Sequence, residues 1–345
     1  TKVTTLPSYL RIFASLQTIL INLIVMKNIK PKKIKFESNL KYSYLEQFPN
    51  NKNFEIPCWQ NENRNSKEIL IMINGFLEGV LNVPIEEEIK RQKKINIHLR
   101  RYDSIANELL KKNIVSVLMP LPFHFGRGED FSSRAPIERL MEDGSNLYFG
   151  GFDQIIQDVN DLISRIKNNP HEFGLDKKEK NIKFHMLGYS IGGVSAMGCV
   201  LKLEHDFKSM NILLSSWNLN AISSDAMHEL FQPTFQLGRN EWEKIKSDLD
   251  DADIIDPEFN FLWKGEESQD FPLRDKLENK VSKILFINGN HDSLFTQEMA
   301  TQRAKYLTDK EFDNVTFLFV HSNHLGLGQQ GRTMIPKFIA TFIDG

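Results

Sequence analysis

Cysteine is nearly absent from this chain of 345 residues: there are two, Cys58 and Cys199. That is too few for a disulfide scaffold. Neither sits in a Cys-x-x-Cys pair or a Cys/His cluster, so a structural zinc site is not expected either. Charge of one sign is also lacking. With 43 Lys and Arg against 45 Asp and Glu the formal net charge is −2, and no positive excess marks a nucleic-acid surface. Long hydrophobic runs are missing as well. The one candidate membrane segment, residues 12–26, is fifteen residues without a formal charge, interrupted by Gln17 and Asn22. A bilayer-spanning helix needs about 20. Basic residues follow this stretch instead of preceding it, the wrong order for a cleaved signal peptide. Internal repeats and low-complexity tracts are lacking too. What remains, 41% hydrophobic and 26% charged residues, is the composition of a globular, core-forming chain. Its length suits one large domain or two small ones.

The near-zero total averages two unlike regions. Residues 1–50 hold eight bases and two acids, a balance of +6, whereas residues 241–275 hold four bases and twelve acids, a balance of −8. Two readings of the apolar segment stay open. It is a helix packed on the domain core, or an interfacial helix whose basic follower, Lys30-Pro-Lys-Lys-Ile-Lys35, touches anionic lipid, giving peripheral membrane contact through residues 10–35. Two unpaired thiols fit a reducing compartment. A cytoplasmic or membrane-peripheral location is the expectation, with secretion left open because the chain begins at Thr1 without an initiator methionine.

Short, almost continuously apolar runs at 69–73, 114–118, 182–187, 210–214, 281–287 and 315–320 read as strands buried on both faces. Helical periodicity lies between them. Phe152, Ile155, Ile156, Val159, Leu162, Ile163 and Ile166 share one helix face, as do Leu99, Tyr102, Ile105, Ala106, Leu109 and Leu110 one unit earlier. Residues 333–343 read as a last helix with Pro336 in its first turn. Strand–helix alternation predicts an α/β fold with a mostly parallel central sheet and helices on both faces. Residues 218–278 lack strand runs and carry the acidic stretch, including Asp248 to Asp253, which reads as a solvated face. The expected organisation is a basic N-terminal extension over 1–50, core over 51–217, a helical cap insertion over 218–278 and core again over 279–345.

The residues that carry chemistry begin after the strand at 182–187, in Gly188-Tyr-Ser190-Ile-Gly192-Gly193. A Gly-x-Ser-x-Gly sequence between a strand and a helix demands a turn so sharp that its central residue is strained. Side chains at Gly188 and Gly192 would collide across such a turn. Ser190 is lifted above the sheet, and the following helix points its N-terminal N–H groups at any negative charge forming there. On this motif and its context the chain resembles the α/β-hydrolase superfamily of serine hydrolases.

The resemblance implies further residues. An acid is expected after the strand that follows the cap, where this sequence has Gly289-Asn-His-Asp292. A histidine is expected after the last strand, where it has His321-Ser-Asn-His324-Leu-Gly326. The order Ser190, Asp292, His324 is the one the family shows. In the roles so implied, His324 takes the proton of Ser190 and Asp292 orients the imidazole. Asp225 stands as the alternative acid and His321 as the alternative base. His185 reads as a satisfied core histidine, His291 as a loop residue, and His124 falls in the wrong order for the family. Asp292 has a competing role as the cap of a helix starting near Phe295. Oxyanion donors are implied at the backbone N–H groups of Ile191 and of Phe76, the latter beyond Asn74-Gly75 where the family often has His-Gly.

The loop Pro120-Leu-Pro-Phe-His-Phe-Gly-Arg127-Gly-Glu-Asp130 follows a strand end, the side where such folds bind ligands. Phe123 and Phe125 line an acyl pocket or pack under the cap. Arg127 meets a substrate carboxylate or phosphate, or pairs with Glu129 or a cap acid. The function implied is cleavage of a carboxylic ester or thioester, of a small molecule or a lipid, without cofactor, metal or nucleic acid. Acyl transfer, peptidase action and a non-catalytic binding role on the same fold are the alternatives. Oligomeric state is not legible.

Overall fold

The protein is described here from a computed structural model. It describes residues 29–41, 49–61, 65–75, 88–122, 124–125, 127, 135–235, 239–251, 256–265, 271–310, 312–324 and 329–345. The apolar segment at 12–26 therefore lies outside the described residues, as do Phe76, Phe123, Glu129 and Gly326.

Eight strands form one sheet in the order β1-β2-β4-β3-β5-β6-β7-β8. They are β1 (Lys32–Glu37), β2 (Asn53–Trp59), β3 (Glu68–Ile73), β4 (Ile114–Met119), β5 (Lys183–Tyr189), β6 (Phe207–Leu213), β7 (Ile284–Gly289) and β8 (Val315–Val320). The first two joins, β1 to β2 and β2 to β4, are antiparallel, and all the others are parallel. The central strands are mostly apolar because both faces are covered. In β3, Ile69, Ile71 and Ile73 belong to one core while Leu70 and Met72 belong to the other. In β7 the same alternation separates Ile284 and Phe286 from Leu285 and Ile287.

Helix α1 (Glu88–Leu110) covers one face, with Leu99, Tyr102, Ile105, Ala106 and Leu109 turned to the sheet. Beside it packs α9 (Gln329–Asp344) through Ile335, Ile339 and Ile343. The helix α9 starts four residues earlier than its periodicity suggests, so Pro336 lies in its interior and not in its first turn. The other face carries α2 (Ala135–Asn168), α3 (Ile191–Lys202) and α8 (Gln297–Asp309).

Between β6 and β7 the chain inserts α4 (Ser224–Phe235), α5 (Arg239–Asp251), α6 (Pro257–Lys264) and α7 (Leu273–Glu278). Trp242, Leu249, Phe261 and Trp263 of this insertion join the core of the α2–α3 face. Acids of the insertion, one of them in the run that reads as a solvated face, have structural partners. Asp250 accepts the indole N–H of Trp263 at 2.7 Å. Asp256 caps α6 through the N–H of Phe259 at 3.1 Å and pairs with Lys202.

The sheet also begins earlier than the sequence suggests. Part of the basic stretch expected to precede the core, Lys32–Glu37, is its edge strand. Ile34 and Phe36 face the core, and Phe36 meets Phe54 of β2 with ring centroids 5.3 Å apart. Lys33 and Lys35 face solvent on the opposite side, where Lys33 pairs with Glu55 at 3.0 Å. Lysines on an edge strand discourage pairing with another chain. No helix of the described residues is long and apolar enough to cross a membrane.

Candidate active site

β5 ends at Tyr189 and α3 begins at Ile191, so Ser190 alone makes the turn. Its φ of 53° and ψ of −127° lie where a β-carbon is normally unwelcome. Neighbouring backbone holds it there. The Ser190 N–H donates to the Leu213 carbonyl of β6 at 2.9 Å, and the Ser190 carbonyl accepts the Gly193 N–H at 2.7 Å. The Ser215 hydroxyl donates to that same carbonyl. The glycines are a steric requirement of the crossing. A β-carbon on Gly188 would lie 2.1 Å from the Gly192 oxygen, and one on Gly192 would lie 2.3 Å from the Asn74 oxygen.

The exit of β3 passes directly beside the turn, since a β-carbon on Gly75 would sit 3.2 Å from that of Ser190. Asn74 ties this exit down. Its Nδ2 donates to the Gly75 carbonyl at 2.7 Å and its Oδ1 accepts the Leu121 N–H, after β4, at 2.8 Å. Ile191, the other residue expected to offer a backbone donor, is the first residue of α3, so its N–H has no acceptor within the helix.

Three side chains from three strand ends converge. Ser190 Oγ lies 2.8 Å from His324 Nε2, and His324 Nδ1 lies 3.0 Å from Asp292 Oδ2. All three are buried. The other carboxylate oxygen of Asp292 accepts the N–H groups of Leu294 at 2.9 Å and Phe295 at 3.0 Å. Asp292 thus orders its own turn and holds the imidazole at once, while the cap of α8 is Thr296. A carboxylate at Nδ1 fixes the tautomer: Nδ1–H donates to Asp292 and the Nε2 lone pair faces the Ser190 hydroxyl.

Three residues around this site, Tyr189, Arg101 and Ser215, escaped sequence reasoning. The Tyr189 hydroxyl donates to the His324 carbonyl at 2.5 Å, and its ring stacks on the imidazole with centroids 6.2 Å apart. The Arg101 guanidinium lies 3.7 Å from the centre of the Tyr189 ring. Tyr189 occupies an unspecified position of the motif, so only its neighbourhood to Ser190 hinted at a role. Ser215 had no local signal at all.

The rival assignments fall elsewhere. His321 is exposed and its Nδ1 lies 3.2 Å from His291 Nε2. Asp225 sits in the first turn of α4. His185 is buried between Ser209 and Glu68, and His124 Nδ1 bonds the Pro122 carbonyl at 2.7 Å. The expectation for Arg127 is corrected. Its wholly buried guanidinium pairs with the equally buried Asp158 of α2 at 2.6 Å. It also donates to the Pro120 carbonyl at 3.0 Å and lies 4.4 Å from the centre of the Phe54 ring. It braces the exit of β4 and is closed off from solvent, and the pairing expected with Glu129 lies outside the described residues. Phe125 packs edge-on against Tyr102 of α1 with centroids 6.2 Å apart, on the face opposite the inserted helices.

Among the described residues, no group of three or more His, Cys, Asp or Glu side chains could hold a metal ion. Both thiols are free and buried. Burial pushes the Cys58 thiol up to about 12 and raises that of Cys199 as well, so neither is a nucleophile near neutral pH.

No family model and no curated protein matches the chain. Solved structures do. Over 99% of this chain and 90% of the other it is similar to the esterase Est22, at 11% identity and a TM-score of 0.55. It is similar to the Pyrococcus furiosus esterase Pf2001 over 91% of this chain and 90% of that one, at 13% identity and a TM-score of 0.51. All of this chain matches 44% of the Pyrococcus horikoshii acylaminoacyl peptidase, at 12% identity and a TM-score of 0.55. At such identities the likeness concerns the fold, and the chain has the α/β-hydrolase fold.

Proposed function

We propose that the protein is a serine hydrolase that cleaves a carboxylic ester or thioester through an acyl-enzyme. The observation that carries this reading is the buried relay of Ser190 Oγ, His324 and Asp292, with spacings of 2.8 and 3.0 Å, at a strained strand-to-helix turn. A serine hydroxyl is a poor nucleophile until a base removes its proton.

His324 Nε2 accepts the proton as Ser190 Oγ attacks the acyl carbonyl carbon. Asp292 stabilises the imidazolium without being protonated itself. The negative charge gathers on the former carbonyl oxygen, opposite the start of α3, where the Ile191 N–H and the helix dipole offset it. Phe76 N–H is proposed as the second donor. Collapse of the tetrahedral species expels the alcohol or thiol, which takes the proton from His324. Water then enters by the same route, releases the acid and restores Ser190.

The esterase neighbours support the ester reading. The acylaminoacyl peptidase neighbour supports a second one, release of an acylated amino acid by the same residues. A fluorophosphonate probe on the wild-type chain and on Ser190→Ala tests the core of the proposal. Labelling is expected on the first and absent on the second, and labelling that survives the substitution overturns it. p-Nitrophenyl esters of increasing chain length, set beside an acylated amino-acid anilide, then separate the two substrate classes.

A further inference from the structure

We infer that His291 and His321 form a two-imidazole site for a divalent transition-metal ion, which staples together the loops carrying Asp292 and His324. His291 Nε2 and His321 Nδ1 lie 3.2 Å apart, with perpendicular rings whose centroids are 4.6 Å apart. Zinc binds imidazole nitrogen at about 2.0–2.1 Å, so two nitrogens on one tetrahedral ion are separated by about 3.3 Å. The nitrogens already stand at that separation. Without an ion the same spacing serves an N–H to N hydrogen bond, which the ion replaces.

The backbone makes the pair ready. β7 and β8 are neighbours, and Asn290 N–H donates to the Val320 carbonyl while His291 N–H donates to that of Ser322, both at 3.0 Å. Gly289 lets the two loops close, because a β-carbon there would lie 2.4 Å from the Ser322 oxygen. Binding therefore orders two exposed side chains and little backbone, which keeps its entropic cost small.

Donor chemistry selects the ion. Imidazole suits Zn²⁺, Cu²⁺ and Ni²⁺, whereas Ca²⁺ and Mg²⁺ prefer oxygen. With no third protein ligand among the described residues, water completes the coordination and the site is weaker than a structural zinc centre. His291 adjoins Asp292, and His321 is separated from His324 only by Ser322 and Asn323. Both lone pairs reach the ion by rotation of the two exposed rings about their own side-chain bonds, so an ion preserves the 3.0 Å contact between Asp292 and His324. Its effect is to stabilise the folded chain in proportion to its binding.

Isothermal titration of the full chain with ZnCl₂, paired with thermal unfolding in Zn²⁺ and in EDTA, tests the site. The expected result is one Zn²⁺ per chain, bound at least about tenfold more weakly by His291→Ala and, separately, by His321→Ala, the loss of one of two donors. The melting temperature of the wild-type chain rises with Zn²⁺ but not with Mg²⁺, and neither variant shows the rise. Both residues are exposed, so equal melting of all three proteins in EDTA establishes that the variants are folded. Binding unchanged in either variant overturns the two-imidazole site, as does no binding at about 1 mM Zn²⁺. These readouts are independent of hydrolysis and stand or fall without it.

Discussion

His324 lies between Ser190 and Asp292 at the C-terminal ends of the parallel strands, and His185 lies between Ser209 and Glu68 toward their N-terminal ends. The distances at the second group, 2.9 and 3.2 Å, are close to those at the first. What differs is the surrounding backbone and the other partners of each group. Ser209 lies within β6, level with His185 of β5, and its oxygen also accepts Asn211 Nδ2 at 3.0 Å. Glu68 shares its carboxylate with Lys183 at 2.6 Å. Ser209 and His185 are buried within the body of the sheet, closed off from a substrate. Ser190 stands instead on a left-handed turn at a helix start. A hydroxyl, an imidazole and a carboxylate in a row thus make a structural bridge in one place and a candidate site in the other. The strained turn, with a helix N-terminus beside it, marks the difference.

The sharpest way to break this comparison is to remove each serine. Ser190→Ala should lower kcat/KM on an active ester by about 10⁴-fold or more, and Asp292→Asn by about 10⁴-fold. Ser209→Ala should leave activity within about threefold and cost about 1 kcal/mol of stability, read by urea unfolding. Loss of activity in Ser209→Ala with the fold intact would refute the assignment.

The turn itself is the next target. Gly188→Ala drives a β-carbon into backbone and should cost more than about 3 kcal/mol or prevent folding. Gly151→Ala, in α2 with nothing within 4 Å of the added carbon, should instead gain up to about 1 kcal/mol from helix propensity. Denaturation midpoints of the two variants should move in opposite directions.

A smaller effect is expected for Tyr189→Phe, which deletes the hydrogen bond to the His324 carbonyl. It should lower kcat by about three- to tenfold with KM little changed, the loss of about 1 kcal/mol of positioning. A change in KM alone would place Tyr189 in substrate binding instead.

The bridge at the other end answers to pH. The hydrogen bond from His185, helped by Lys183 and opposed by burial, holds the Glu68 carboxyl down at about 2. Burial in turn lowers the pKa of His185, whose Nε2 lies 3.2 Å from the Glu68 carboxylate. A carboxylate depressed on folding contributes stability above its unfolded value of about 4.5. That contribution is lost as pH falls from there toward 2. Urea unfolding across this range should show the wild-type chain losing stability more steeply than Glu68→Gln, and parallel curves would show that Glu68 contributes nothing.

The central strands were legible because burial on both faces leaves an unbroken apolar run, as in Ile69-Leu-Ile-Met-Ile73. β1 and β2 were not. In β1 the core-facing Ile34 and Phe36 alternate with Lys33 and Lys35, and three lysines in six residues drown a period of two. The N-terminal half of α1 carries mostly polar residues, which offered no periodicity until Leu99. In the site, Ser190 was readable because the turn imposes glycine on both sides of it. The choice of His324 over His321 rested on the resemblance, since both follow the last strand within four residues. Arg127 misled because its partner, Asp158, is remote in sequence and arrives by the packing of α2.

The sequence by itself determined the elements whose cause is local: the buried strands, the amphipathic faces of α1 and α2, and a turn that admits no side chain at Gly188 and Gly192. Only the tertiary structure decided which histidine meets Ser190, that Tyr189 and Ser215 brace the site, and that His185 is a bridge. Such pairings are set by strand order and loop closure across the sheet. They join residues that share no spacing in the chain, so no local pattern encodes them.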